Sequence, residues 1–430
     1  IRVMCGIAGF LTARNGVNAD TLRAWTTDAC AALAHRGPDD AGVWIDEASG
    51  IALGHRRLAV IDISPGGHQP MASADERYVI VYNGEIYNFQ ALRTELAAHG
   101  AVFKTESDTE VLLAGISEWG VADTLRRANG MFAFGLWDRK SRELTLARDR
   151  FGQKPLYYGD VGGGVFGFSS ELKAFHAHPN FMGVVNQGAL SLFLRHNNVP
   201  APHCIYDGLS KLSPGCIVTI PIDTVASKPV PYWRADTAAN EAQTNPFMGT
   251  FDDAVDELDT LLGAAVRDCM VSDAPLGAFL SGGVDSSTIV ALMQSASTRP
   301  IKTFSIGFNE DDFNEARHAA VVAAHLGTDH SELYVTSAEA QAVIPALPTM
   351  YDEPFADSSQ IPTHLVSQLA RQSVTVSLSG DGGDELFGGY NRYIAGDQVA
   401  RFNRRTPRAL RLALAAAVTA IPVTVWDGAA

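Results

Sequence analysis

Three short segments concentrate residue types that could do chemistry. Cys5 stands between Met4 and the run Gly6-Ile7-Ala8-Gly9-Phe10. If the chain were opened after Met4, Cys5 would carry a free α-amine. An amine with a pKa of about 8 can serve as base for the thiol of its own residue. The plainer alternative is a small hydrophobe on a first strand. The second segment, Leu280-Ser281-Gly282-Gly283-Val284-Asp285-Ser286-Ser287, follows an apolar strand and opens a helix. Its glycines admit an anion close to the backbone, and free helix amides with the hydroxyls of Ser281, Ser286 and Ser287 can donate to it. Asp285 could hold a cation. The same letters would also suit a strand–turn–helix connection with a Ser or Asp cap. No lysine in the chain follows a glycine, so this is not a Walker A loop. The third segment is Ser379-Gly380-Asp381-Gly382-Gly383-Asp384-Glu385, where Gly–Asp clustering suits either a solvated turn or a cation site.

These segments need elements to position them. The chain has 430 residues, 46% hydrophobic and 19% charged, a globular composition with room for two or three domains. The net charge of −15 argues against non-specific nucleic-acid or anionic-membrane binding. Five scattered cysteines without a CxxC pair suit a reducing, cytoplasmic setting; Cys30, Cys204, Cys216 and Cys269 read as packing residues. His35, His55 and His68 fit no metal-ligand spacing and read as structural. No secretory signal opens the sequence, and Leu412 to Trp426 is too short and interrupted to span a bilayer, so it reads as an Ala-rich packed helix.

The first half alternates strands and turns with occasional helices. Leu53 to Asp62 and Tyr78 to Tyr82 are β-rich, the second expected to stop at Asn83-Gly84. Helical spacing covers Leu92 to His99 and Thr109 to Trp119. Gly162, Gly164 and Gly167 fit a dinucleotide-loop pattern, but the flanking Tyr157-Tyr158 and Val165-Phe166 predict a β-hairpin instead. Periodicity decays from Ser213 to Thr250, so a linker is placed at 213–250, between domains at 4–212 and 251–430. In the second half strands alternate with helices: Leu276 to Leu280 then Ser286 to Gln294, Lys302 to Phe308 then Glu315 to Leu326, and Val374 to Leu378 after a long helix. That order predicts a parallel sheet with helices on both faces and ligands beyond its carboxyl ends.

The loop at 281–286 resembles the SGGxDS pyrophosphate-binding signature of ATP pyrophosphatases, and Met4-Cys5-Gly6-Ile7-Ala8-Gly9 resembles the start of class II glutamine amidotransferases. Between them stand Arg36-Gly37-Pro38-Asp39, the run His55 to Asp62, Tyr82-Asn83-Gly84-Glu85-Ile86-Tyr87-Asn88, Ser107-Asp108-Thr109-Glu110 and the run Arg148 to Tyr158. The whole resembles the glutamine-hydrolysing asparagine synthetases. This implies an Ntn-hydrolase-like αββα sandwich (α+β), then an α/β domain of adenine-nucleotide α-hydrolase type. It also implies Cys5 as nucleophile and Asn83 with Gly84 as oxyanion hole. Arg57, Leu58, Val60, Glu85 and Asp108 would bind glutamine with them. Leu280, Ser281, Gly282, Gly283, Asp285, Ser286, Ile306, Ser379 and Gly380 fall at ATP-contacting positions, and Asp285 and Asp384 are expected to share Mg²⁺. Asp381 stands where the family has a glutamate tied to adenylation of aspartate. The segment from Tyr351 to Ser359 would line the acceptor region. A homodimer is a family expectation. Four residues precede Cys5, and a form retaining them is expected to lack glutaminase activity. Family members continue past this C-terminus with a lysine that assists adenylation, so the second domain is expected to be truncated. The shorter Asp381 leaves an alternative: amidation of another carboxylate, such as a sugar acid or peptide precursor. A non-catalytic nucleotide-binding relative is a further alternative.

Overall fold

The computed structural model describes residues 4–12, 17–222, 227–308 and 314–421. Residues Ile1, Arg2 and Val3, and the end of the expected helix through Trp426, lie outside the described residues. Two antiparallel sheets build the first domain. The first has the order β10-β8-β9-β1-β3-β2, from β1 (Gly6–Leu11), β2 (Asp40–Asp46), β3 (Ile51–Arg57), β8 (Tyr157–Asp160), β9 (Phe166–Ser169) and β10 (Leu209–Lys211). The second has the order β12-β11-β7-β6-β5-β4, from β4 (Met71–Ala72), β5 (Tyr78–Ile86), β6 (Gly130–Asp138), β7 (Glu143–Arg148), β11 (Cys216–Pro221) and β12 (Val230–Pro231).

Alternation along single strands produces the layers. Ile7 on β1 and Val79 and Val81 on β5 enter the core between the sheets, with Trp137 and Phe168. Their neighbours Ala8 and Phe10 face the helix Ala19–Ala32, packing on Leu22 and Ala29. Tyr78, Ile80 and Tyr82 face the helices Phe89–Ala98 and Asp108–Trp119. The result is helix, sheet, sheet, helix, the αββα sandwich that the family resemblance implies. The strands either side of Gly162-Gly163-Gly164 pair as the expected hairpin.

The second domain carries a parallel sheet of order β15-β14-β13-β16, from β13 (Leu276–Phe279), β14 (Lys302–Phe308), β15 (Asp329–Val335) and β16 (Val376–Leu378). Val266, Val290, Met293, Ala319 and Ala323 from three helices cover one face, and Val366 and Ala370 from the helix Gln360–Ala370 cover the other. Pairing on both sides of β13 makes its carboxyl end the point where strand order reverses, so the loops after β13 and β16 meet there.

Three expectations are corrected. β5 does not stop at Asn83-Gly84 but runs through it, pairing with β6 as far as Ile86 with Gly130. A Cβ at Gly84 would lie 2.4 Å from the Met131 carbonyl, so this glycine admits a close strand neighbour rather than a turn. The segment 213–250 is not all linker: β11 and β12 complete the second sheet. The C-terminal helix Arg408–Thr419 forms, but it is not packed, since Leu412 is 60% exposed and Val418 52%. Strand β15, whose sequence Asp-His-Ser-Glu-Leu-Tyr-Val carries no strict alternation, went unread.

Candidate active site

One cavity of about 480 Å³ gathers residues from both domains. Cys5, Arg57, Leu58, Val60, Asn83, Gly84, Glu85 and Asp108 line it from the first domain, and Ser379 and Asp381 from the second. Cys5 sits just before β1. Its Sγ accepts from the Leu58 amide at 3.3 Å and faces the Leu58 carbonyl at 3.5 Å. Burial pushes the thiol pKa up, against the pull of the Leu58 hydrogen bond and of the cations Lys154, Arg36 and Arg57. The thiol is therefore protonated near neutrality and needs a base.

Arg57 ends β3. Its guanidinium donates to the carbonyls of Ser64, at 2.8 Å, and Asp62. No carboxylate pairs with it among the described residues. Gly67 makes room, because a Cβ there would lie 1.9 Å from Arg57 Nη2. Asn83 is 1% exposed and its Nδ2 finds no partner among the described residues. A buried, idle donor is costly unless something else uses it. Asp108 is the first residue of its helix, with Ser107 as the cap. Asp108 Oδ2 accepts from Tyr82 Oη at 3.0 Å and from the Ile86 amide at 2.9 Å. Burial nevertheless raises its pKa to about 6. Glu85 is raised to about 7, by burial first, with Lys154 opposing and Asp108 adding.

Lys154 is a site residue the sequence reading passed over inside its own motif. Asp149, fully buried, accepts from the amides of Phe151, Gln153 and Lys154, which folds the loop that delivers this lysine. Lys154 Nζ lies 2.8 Å from Met4 Sδ, and burial lowers its pKa to about 8. Arg36 is also built in: its Nε donates to the Cys5 carbonyl at 3.0 Å. His55 Nε2 meets the Tyr82 carbonyl at 3.1 Å, and burial holds its pKa down at about 3.

The remaining residues form a second cluster at the end of β13, next to this cavity but not lining it. Ser281 Oγ and Ser286 Oγ lie 2.9 Å apart, and Gly282 takes a positive φ of 81° with no room for a Cβ beside Ala319. Gly283 caps the helix Val284–Ala296, leaving its first amides toward the crevice. The loop after β16 closes directly on it: a Cβ at Gly380 would lie 2.7 Å from the Ser286 amide, and one at Gly383 2.4 Å from Asp285 Oδ2. Asp285 is thus brought against the Gly380–Gly383 turn, while the Asp384 carboxylate turns over Gly389, whose Cβ would lie 1.9 Å from Oδ1. No cluster of three or more His, Cys, Asp or Glu fit to hold a metal occurs among the described residues. The Leu280 and Ile306 side chains pack in the second domain's hydrophobic clusters, Leu280 among Val266, Val290 and Met293.

Comparison with known proteins follows this division. Residues 4–233 match a family described as a glutamine amidotransferase domain, and residues 257–423 one described as asparagine synthase. A Mycobacterium tuberculosis protein, provisionally named an asparagine synthetase [glutamine-hydrolyzing], is 39% identical over 91% of this chain and 61% of its own length. Asparagine synthetase [glutamine-hydrolyzing] 1 of Bacillus subtilis is 38% identical over 84% of this chain and 55% of its own length. A Methanocaldococcus jannaschii protein, provisionally named asparagine synthetase [glutamine-hydrolyzing] 2, is 36% identical over 95% of this chain and 80% of its own length. The chain thus spans little more than half of the Bacillus relative. Among the described residues no helix is long and apolar enough to cross a membrane.

Proposed function

The chain belongs to the glutamine-hydrolysing asparagine synthetase family, and on that basis we propose that it transfers the amide nitrogen of glutamine to the β-carboxylate of aspartate, using ATP. The observation that carries this reading is the single cavity from Cys5 to Asp381. In the first half-reaction, a free α-amine on Cys5 takes the thiol proton, and Sγ attacks the glutamine amide carbonyl. Asn83 Nδ2 and the Gly84 amide stabilise the oxyanion, at about 3 kcal/mol per donor. Arg57 binds the substrate carboxylate as a bidentate fork, and Asp108 with Glu85 holds its ammonium. Collapse expels ammonia, and water then releases glutamate from the thioester.

In the second half-reaction, the amides and hydroxyls of Ser281 to Ser286 bind the ATP phosphates. The residues fit magnesium in part. Asp285 faces the loop crevice, and two carboxylates with phosphate oxygens and water are the usual magnesium set. The Asp384 carboxylate, folded over Gly389, would have to turn to join it. Magnesium would neutralise the phosphates as pyrophosphate leaves. Asp381 lies where the cavity meets this crevice and orients the acceptor as aspartyl-AMP forms. Enclosure matters because free ammonia protonates in water and an acyl-adenylate hydrolyses. The test measures pyrophosphate release with Mg-ATP and ammonium, with and without aspartate, alongside glutamate release by a chain beginning at Cys5. Aspartate-dependent pyrophosphate and glutaminase turnover are expected. ATP binding with no aspartate-dependent release would shift the reading to another carboxylate acceptor.

A further inference from the structure

A run of ion pairs leads from the backbone of Cys5 to the second domain. Arg36, 1% exposed, donates through Nε to the Cys5 carbonyl and through Nη1 to Glu171 Oε1 at 2.6 Å. The other oxygen of Glu171 pairs with Lys173. Lys173 then crosses the domain boundary, its Nζ 3.0 Å from Asp352 Oδ1 and its backbone amide 3.2 Å from Oδ2. His35 adds a contact to Glu171 at 3.0 Å. The Arg36, Lys173 and His35 partners hold the Glu171 carboxyl far below the usual carboxylate range despite its burial. A cavity of about 910 Å³ lies beside this run, lined by Arg36, Glu171, Lys173 and Asp352. Beside that void the charged run joins the domains, alongside a hydrogen bond from the Ala356 amide to the Asn197 carbonyl at 2.9 Å.

We infer that Glu171, Lys173 and Asp352 are positioning residues that couple the loop 351–356 to the nucleophile, so that filling the glutamine pocket orders that loop. The inference rests on the proposed glutaminase reading of the cavity. Asp352 is the loop's connection to Cys5, whereas the neighbouring Glu353 is held separately, by the Ile205 amide at 2.8 Å, Tyr157 Oη at 3.2 Å and Lys211. Loss of the Lys173 side chain therefore removes the ionic link between Glu171 and Asp352 and leaves only the backbone amide on Asp352, while the Glu353 anchor keeps the domains together. The chemical purpose is timing: the second domain's loop is set once glutamine occupies the first domain's pocket.

Hydrogen exchange by mass spectrometry on the whole chain, with and without saturating glutamine, tests this. In the wild type, exchange of 351–356 should slow by about fivefold or more on glutamine addition, the low end of ordinary coupling between sites. In Lys173→Met that slowing should fall below about twofold, although 105–109 around Asp108 stays protected as in wild type. Lys173→Arg, which keeps the charge, should restore it. Equal slowing in wild type and Lys173→Met, or none in wild type while 105–109 is protected, overturns the inference. No protection at 105–109 in wild type would count against the glutamine reading itself and leave the run with nothing to transmit. Matching melting temperatures of the two variants exclude misfolding as the cause.

Discussion

At the scale of single residues, the pocket places polar groups where they cost stability. Asp108 shows the sign of that cost. Its pKa rises from 3.8 to about 6 on folding, so the folded chain binds the proton more tightly than the unfolded one. Stability then falls as pH rises through that window and stays reduced above it. Asn at this position can still accept from Tyr82 or Ile86 without carrying a buried charge. Asp108→Asn is therefore expected to stabilise the chain by more than about 1 kcal/mol at pH 7.5, with no gain at pH 3.5, while glutamine binding is lost. Chemical denaturation at the two pH values checks the stability, and a destabilised variant at pH 7.5 would contradict it. Residue identity at this scale was mostly legible in the sequence, because Cys5, Arg57, Asn83 and Asp108 sit in motifs that can be read letter by letter. Lys154 was not, because nothing in its neighbours announces that a buried Asp149 turns the loop inward.

Elements set how near the functional loops can come to each other. After β13 and β16, contact between the two loops rests on glycines that cannot be exchanged. Gly380→Ala would place a Cβ 2.7 Å from the backbone of Ser286, so the loops must part rather than a side chain turn away. Mg-ATP affinity is expected to fall about tenfold or more, near 1.4 kcal/mol, with the first domain's glutaminase turnover unchanged. Titration calorimetry reads the first and a glutamate assay the second; unaltered nucleotide affinity would show that the loop spacing is irrelevant to binding. Parallel-sheet strands were legible from apolar runs that alternate with helical segments, as at Leu276–Phe279 and Lys302–Phe308. Asn83-Gly84 was misread because its letters favour a two-residue turn, whereas the strand pairing with β6 overrides that local preference. Strands at 216–221 and 230–231 were hidden by Pro and Thr density, and only pairing with β7 reveals them.

In the whole molecule, one cavity is lined from both domains, by Cys5 and Asn83 on one side and Ser379 and Asp381 on the other. Neither domain's sequence could show this, since the lining comes from chain positions far apart in sequence, such as Val60 and Val374 or Asn83 and Ser379. The cavity's second-domain wall includes Ala370 and Val374, both buried. Ala370→Phe fills part of that volume with a ring, and a strained core change of this kind costs about 1–3 kcal/mol. If ammonia passes through the cavity, the variant uncouples the halves. Glutamate release and ammonium-driven pyrophosphate release should stay within about twofold of wild type, while glutamine-driven pyrophosphate release falls about tenfold or more. The three rates on one preparation decide the matter. A uniform loss would mean only that the fold was damaged, and equal glutamine- and ammonium-driven rates would mean that the nitrogen reaches the acceptor through solvent.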